Sequence, residues 1–291
     1  QLEDYAQGSA SDPFLACSMK PVSKLTDKEK LFLLKNFFTV NKKRRIDPSP
    51  RYGELWEKKA QAGSEPEMQL KSFALSDYLD LQVLFNLAWS GPTLRKDAQV
   101  ASLLAKDRNF SQKEKELLLA KQQQLISRII PTYKRLQEEG RIEVSVSPFY
   151  HPLLPLLCDN YSAEEAQPGT TLPRSRFTFP EDAETQIHLA LQYYRQLFKR
   201  EARGMWPPEG GVSNKALELA IRQGLKWVAT DESILAKSTS AGRDIAKETK
   251  SFFSAEKMCS PYKYKTRQGE ISIFFRNQAL SNLISFVYSS W

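Results

Sequence analysis

The apolar pattern changes period at Gly140, and that change limits the possible folds more than any other feature of the chain. From residue 24 to about 136 apolar side chains recur at helical spacing. Thr26 is positioned to cap a helix starting at Asp27, Ser76-Asp77 opens another, and Ser111-Gln112-Lys113-Glu114 has the capping-box spacing for a long helix. That helix should kink at Pro131 and end by Gly140, while Pro48, Pro50 and Gly91-Pro92 break the earlier stretch. After Gly140, residues 142–147 alternate with period two up to Pro148, which predicts a strand of about six residues. Further strands are expected at 203–206, 225–230 and 271–276. Helices are expected at 181–200 and after Ser213, with Gly224 as a stop. Residues 160–180 read as a polar loop, and 237–250 as loop or surface helix. Strand, loop, helix and strand in succession imply parallel strands with helical crossovers, so the fold class is α/β. The expected division is a mainly helical region over 1–136 and βα units over 137–291.

Composition excludes several classes. A chain of 291 residues with 41% hydrophobic and 26% charged side chains is neither disordered nor fibrous. Its apolar runs, such as Leu31-Phe32-Leu33-Leu34, fall far short of the ~20 residues that a membrane helix needs. No signal peptide is readable at Gln1-Leu2-Glu3. Cys17, Cys158 and Cys259 are odd in number and widely spaced, which points to free thiols in a reducing compartment, with the cytoplasm as the default. The net charge of +8 arises from 42 basic and 34 acidic residues. They are interspersed, and the densest clusters, Lys42-Lys43-Arg44-Arg45 and 263–267, match no nucleic-acid motif. A solvated surface is therefore expected rather than a nucleic-acid or membrane partner. Nothing in the pattern specifies an oligomeric state.

In parallel sheets the chemistry collects where strands end, and those ends carry His151, Glu209, Asp231 and Arg276. Metal chemistry has little support. His151 and His188 are the only histidines, and Glu184 one turn before His188 has no third partner. That shortage also argues against a metal-dependent polysaccharide deacetylase. There is no GxSxG elbow, no protease-like cysteine context and no phosphate-binding glycine loop, since Gly210-Gly211 lacks the Walker lysine. What remains is carboxylates. Glu209 lies in Met205-Trp206-Pro207-Pro208-Glu209-Gly210-Gly211, a proline turn followed by glycines with an indole alongside. His151 follows Phe149-Tyr150, and aromatic rings beside a polar donor suit a sugar face and its hydroxyls. A turn glutamate and a core histidine are the alternatives at this level.

Three segments resemble the catalytic domain of glycoside hydrolase family 57, which includes α-amylases, amylopullulanases, 4-α-glucanotransferases and branching enzymes. Residues 140–157, with Ser147-Pro148-Phe149-Tyr150-His151-Pro152, resemble its second motif region. Gly204-Met205-Trp206-Pro207-Pro208-Glu209-Gly210-Gly211 resembles its nucleophile region. Trp227-Val228-Ala229-Thr230-Asp231-Glu232 and Phe274-Phe275-Arg276 fit the same subgroup, and the similarity runs over most of the chain, including Asp80-Leu81-Gln82-Val83-Leu84-Phe85-Asn86-Leu87-Ala88-Trp89. The resemblance implies a retaining mechanism on α-glucans, on a distorted (β/α)7 barrel with an inserted helical region. It implies Glu209 as nucleophile, and His151 and Trp206 as lining for a sugar subsite. Glu143, Asp231 and Arg276 would bind or support. No organic cofactor and no metal are implied. The acid/base aspartate is expected at the position of Asn277 or beyond Trp291. Two departures follow. Relatives of this subgroup carry aspartates where this chain has Asn277 and Asn282, and an amide cannot act as a general acid or base. That leaves a non-catalytic glucan-binding module as the alternative. The first and last barrel strands are also expected outside the chain, so the isolated segment should have little activity.

Overall fold

Side-chain caps fix where the helices of this computed structural model begin; its described residues are 1–239 and 260–288. In the first part of the chain the helices are α1 Leu2–Gln7, α2 Pro13–Met19, α3 Asp27–Asn36, α4 Pro50–Gln61, α5 Pro66–Ser72, α6 Leu75–Trp89, α7 Pro92–Arg95, α8 Ala98–Lys106, α9 Gln112–Ser127 and α10 Ile129–Glu138. Thr26 and Ser111 cap α3 and α9 in reciprocal boxes with Glu29 and Glu114. Pro50 and Pro92 sit in first turns, where a missing N–H costs nothing. The helix run expected to bend at Pro131 breaks at Arg128 instead. A proline ring clashes with the carbonyl four residues earlier, here that of Ser127, so the disruption falls a turn before the proline itself.

The chain divides into two units, Gln1–Tyr133 and Lys134–Trp291, each with its own core. In the first, α6 packs against α2, α3, α4 and α9. Tyr78, Leu81, Val83, Leu84, Phe85 and Leu87 are all buried, so apolar contact surrounds this helix on every side. Its buried carboxylates and Gln82 are each paired, while the buried Tyr78 hydroxyl has no hydrogen-bond partner among the described residues. Arg51 donates to Asp77 at 2.6 Å and to Asp80 at 2.7 Å, and the Phe110 N–H reaches Asp80 at 3.0 Å. Gln82 accepts from the Lys115 ammonium at 2.9 Å, and that ammonium also donates to the Lys20 carbonyl at 2.7 Å.

The second unit contains α11 Leu154–Cys158, α12 Ala163–Ala166, α13 Pro180–Phe198, α14 Asn214–Arg222, α15 Glu232–Thr239 and α16 Gln278–Asn282. Its strands are β1 Gly204–Met205, β2 Trp227–Asp231, β3 Tyr262–Thr266 and β4 Gly269–Arg276, in the spatial order β1-β2-β4-β3. The first three neighbours in that order are parallel. β3 is antiparallel to β4, so the sheet is mixed rather than wholly parallel as its strand spacing implied. The cluster at 263–267, read from sequence as a charged surface, supplies most of this edge strand. Lysines at an edge discourage further pairing, which reconciles its charge with its structure.

The six-residue strand expected at 142–147 shrinks to one parallel bridge, Val146 with Met205. Val146 exchanges two backbone hydrogen bonds with Gly204 and Trp206. The Val144 N–H turns away to the Gln137 side chain at 2.8 Å. With a two-residue β1 as its partner, this segment has little ladder to join. The expected 237–250 stretch begins as the end of α15; 240–250 lie outside the described residues, as does Cys259. Cys17 and Cys158 are buried free thiols. No helix among the described residues is long and apolar enough to cross a membrane.

Period-two alternation sorts the sheet into two faces. Val228, Ile271 and Ile273 join Val146 and Met205 in a core with Leu154, Ile187, Leu191, Leu217 and Ala220 from α11, α13 and α14. Trp227, Ala229, Asp231, Ser272, Phe274 and Arg276 occupy the opposite face, by alternation and register. The strand ends, not the helix-covered face, are thus where polar groups gather.

Burial of Lys115 generates a test. Desolvation pushes its ammonium down from the ordinary 10.5 to about 8. Between those values the unfolded chain holds the proton more tightly, so stability should rise as pH increases from about 8 to about 10.5. Lys115→Met should remove that rise in chemical-denaturation curves; an unchanged slope would show that the lysine is not buried as a cation.

Candidate active site at the strand ends

Beyond β1 the chain enters Trp206-Pro207-Pro208-Glu209-Gly210, and the two prolines hold it extended before a sharp turn. Glu209 sits at φ 54° and Gly210 at φ 67°, two successive left-handed residues. For a glutamate that conformation costs about 1–2 kcal/mol. Backbone bonds from Gly210 to Pro207 and from Gly211 to Pro208, each 2.9 Å, hold the turn, and the Thr230 hydroxyl donates to the Gly210 carbonyl. A Cβ on Gly210 would meet Thr230 and Asp231 at 3.6–3.8 Å, so the turn lies directly on the end of β2. The Glu209 side chain is left 79% exposed.

His151 is the second strained residue, at φ 58°. Its N–H donates to the Pro148 carbonyl at 2.9 Å. The Ser147 hydroxyl donates to the Trp206 carbonyl at 2.9 Å and lies 3.4 Å from His151 Nδ1. The Ser147 hydroxyl thus ties the His151 ring to the Trp206 backbone on its Nδ1 side. On the other side of the ring, Nε2 lies 3.7 Å from Glu209 Oε1. A carboxylate and an imidazole, both held by strained backbone and both open to solvent, face each other across the ends of two adjacent extended segments.

A second group lies at the ends of β2 and β4. Parallel register sets Asp231 beside Arg276, and Arg276 Nε donates to Asp231 at 3.0 Å. The guanidinium carbon is 5.5 Å from the centre of the Trp206 ring, in cation–π geometry. Burial alone would raise the Asp231 pKa. Hydrogen bonds from Ser233 and Arg276, with the charge of Arg276, outweigh burial and hold it below the usual carboxylate range. Asp231 therefore fixes Arg276, and Arg276 borders Trp206.

Asn277 follows directly, but its side chain is engaged as a cap. Its carbonyl oxygen accepts from the Leu280 N–H at 2.8 Å, and its amide nitrogen lies 3.3 Å from the Glu232 carboxylate. Glu232 also accepts from the Gln278 N–H at 3.0 Å.

Of the seven residues expected from sequence, His151 and Glu209 meet directly, Trp206, Arg276 and Asp231 form one contact chain, and Asn277 adjoins Arg276 along the chain. Glu143 stands apart. It accepts from the Trp227 indole N–H at 2.6 Å, and Trp227 begins β2, four residues before Asp231 and about 13 Å away along the strand. Gly204 makes room for that indole, since a Cβ there would fall within 2.5 Å of three ring atoms. Two participants escaped the sequence reading. Ser147 carries no motif of its own, and Glu232 was visible beside Asp231 but had no assigned partner. Among the described residues no three histidine, cysteine, aspartate or glutamate side chains cluster as metal ligands. Glu184, the one ligand-like neighbour of His188, is bound by Arg222 at 2.7 Å and Gln223 at 3.0 Å. A cavity of about 730 Å³ exists in the first unit, lined by Phe14, Phe85, Trp89 and Leu119, and contains none of these residues.

The Asp231–Arg276 pair yields a pH prediction. With a depressed carboxyl pKa, its contribution to stability is full above the ordinary aspartate value and is lost as pH falls through the lower folded value. Asp231→Asn should lower stability at pH 7 by about 1–3 kcal/mol and weaken the acid dependence, read from denaturation at pH 3–7. An unaltered acid limb would show that the pair is not formed.

The family model described as Glycosyl hydrolase family 57 matches residues 22–291. No curated protein matches. Among solved structures, a 4-α-glucanotransferase from Thermococcus litoralis is 22% identical, over 58% of this chain and 21% of its own, with a TM-score of 0.39. An α-amylase from Thermotoga maritima is 16% identical over 72% of this chain and 34% of its own, TM-score 0.41. A GH57 branching enzyme from Thermococcus kodakaraensis, solved with glucose, is 16% identical over 89% and 45%, TM-score 0.41. The chain spans less than half the length of each of these structures. The family match covers nearly the whole chain, and the chain belongs to glycosyl hydrolase family 57.

Proposed function

We propose that the chain supplies the nucleophile-bearing part of a retaining glycoside hydrolase or transglycosylase acting on α-glucans such as starch, glycogen or maltodextrin. Glu209 attacks the anomeric carbon and forms the covalent glycosyl intermediate. His151 and Trp206 line the sugar subsite, Asp231 holds Arg276 for substrate contact, and Glu143 supports the sheet through Trp227. The observation that carries this reading is the approach of the exposed Glu209 carboxylate to His151 at 3.7 Å, with both residues in left-handed backbone. Strain of this kind persists only where surrounding structure enforces it, and it concentrates at functional sites. In this reading residues 1–136 are the inserted helical region and 137–291 the central βα units of a distorted (β/α)7 barrel. The sheet order is that of successive units added side by side: the Val146 segment, then β1, β2 and β4. The remaining barrel strands belong to a longer polypeptide, which acts in the cytoplasm.

Retention requires a second carboxyl group about 5–5.5 Å from the nucleophile, to protonate the leaving oxygen. It falls at the position of Asn277 or downstream of Trp291. One observation favours a second reading, a non-catalytic glucan-binding module: the Asn277 side chain is an amide and is occupied in capping α16.

Glu209→Gln in the full-length protein should reduce release of products from amylose by a factor on the order of 10³ or more, with glucan binding preserved. Unchanged turnover would remove the nucleophile assignment. Asn277→Asp separates the two readings. A gain of activity places the acid at 277, and activity without the substitution places it downstream. Absence of turnover in both proteins, with binding intact, establishes the binding module.

A further inference from the structure

We propose that the Tyr150 ring is a separate sugar-stacking subsite, next to the His151–Glu209 pair, that takes a glucose unit further along an α-glucan chain. The proposal rests on the α-glucan reading above and adds to it a preference for longer chains. Tyr150 is 76% exposed, an unusual position for a large aromatic side chain on a backbone tied to a helix. Its N–H donates to the Gln186 side chain at 2.9 Å, and the N–H of Phe149 donates to the Gln186 backbone carbonyl at 3.1 Å, so both residues are anchored to α13. Phe149 packs edge-to-face with Tyr150, ring centres 4.9 Å apart and planes at 88°. Phe149 is in turn edge-to-face with Tyr193 of α13 at 5.9 Å and 89°. The backbone continues into the left-handed turn at His151, whose N–H bonds Pro148 at 2.9 Å. The backbone carrying the exposed ring is thus pinned on both sides, and Phe149 packs against the ring edge-to-face.

The chemistry of the surface selects the occupant. A rigid ring face with a hydroxyl at its tip matches the apolar C–H face of a pyranose and its outward hydroxyls. A protein partner requires about 800 Å² on each side, whereas one exposed tyrosine and a half-exposed phenylalanine offer a few hundred at most. Nucleic-acid bases also stack on such rings, but alongside cationic grooves. Residues 145–153 contain no lysine or arginine. Tyr150 and His151 are consecutive, about 3.8 Å apart at Cα, so one extended ligand can meet both.

The test measures binding in the full-length protein carrying Glu209→Gln, so that ligands are not consumed. Isothermal titration with maltotriose and maltoheptaose is compared with and without Tyr150→Ala. Binding of maltoheptaose should weaken about tenfold and that of maltotriose less than twofold, while Tyr150→Phe keeps the stacking face and the affinity. Thermal melts should be unchanged, because the side chain is at the surface. Equal loss for both ligands, or no loss for either, overturns the separate subsite. Failure of both oligosaccharides to bind before Tyr150 is altered overturns the α-glucan reading itself.

Discussion

Parallel pairing of β2 with β1 on one side and β4 on the other determines which side chains meet. β2 lies between its neighbours, and a one-residue slip against β4 would turn Val228 out of the core and part Asp231 from Arg276. In the register adopted, Val228 and Ile273 enter the core while Asp231 stands beside Arg276 at the sheet's end. The turn carrying Glu209 closes over the same end of β2, where the Thr230 hydroxyl and the close fit of Gly210 secure it. Moving β2 would therefore move the ion pair, the aromatic ring beside it and the strained glutamate together.

Much of this was legible because it depends on local chemistry. Caps at Thr26, Ser111 and Ser213 declared helix starts through their own hydrogen bonds. The Pro207-Pro208-Glu209-Gly210 run encoded its turn, and the helix expected at 181–200 forms as α13, with Ile187, Leu191 and Tyr194 buried along one side. What could not be read was set by partners distant in sequence. The alternation at 142–147 describes a strand, yet β1 offers it only Met205 to pair with. The lysines of β3 resembled a solvated surface because an edge strand is also solvated. Glu143 sits near the expected motif in sequence, but the indole of Trp227, 84 positions away, claims it at the far end of β2.

Within the site, charge is distributed unevenly. Asp231 is committed to Arg276, whereas among the described residues Glu209 is paired with the imidazole of His151 alone and remains open to solvent. A carboxylate exposed in this way can approach a sugar carbon, whereas one locked to a guanidinium cannot do so without leaving a buried charge unpaired. The amide at 277 gives Glu232 a neutral neighbour in place of a second carboxyl group. The two ends of the site therefore differ in kind: one presents an exposed carboxylate, and the other presents capping and pairing groups.

The central claim is that Glu209 forms a covalent bond to the sugar, and trapping that bond tests it most directly. The full-length protein would be incubated with a fluorinated α-glucosyl fluoride that slows hydrolysis of the intermediate, digested and mapped by mass spectrometry. A glycosyl adduct on the peptide spanning 204–215, lost in Glu209→Gln, is the predicted result. An adduct on another carboxylate, or turnover that inverts the anomeric centre with no adduct, would contradict the account.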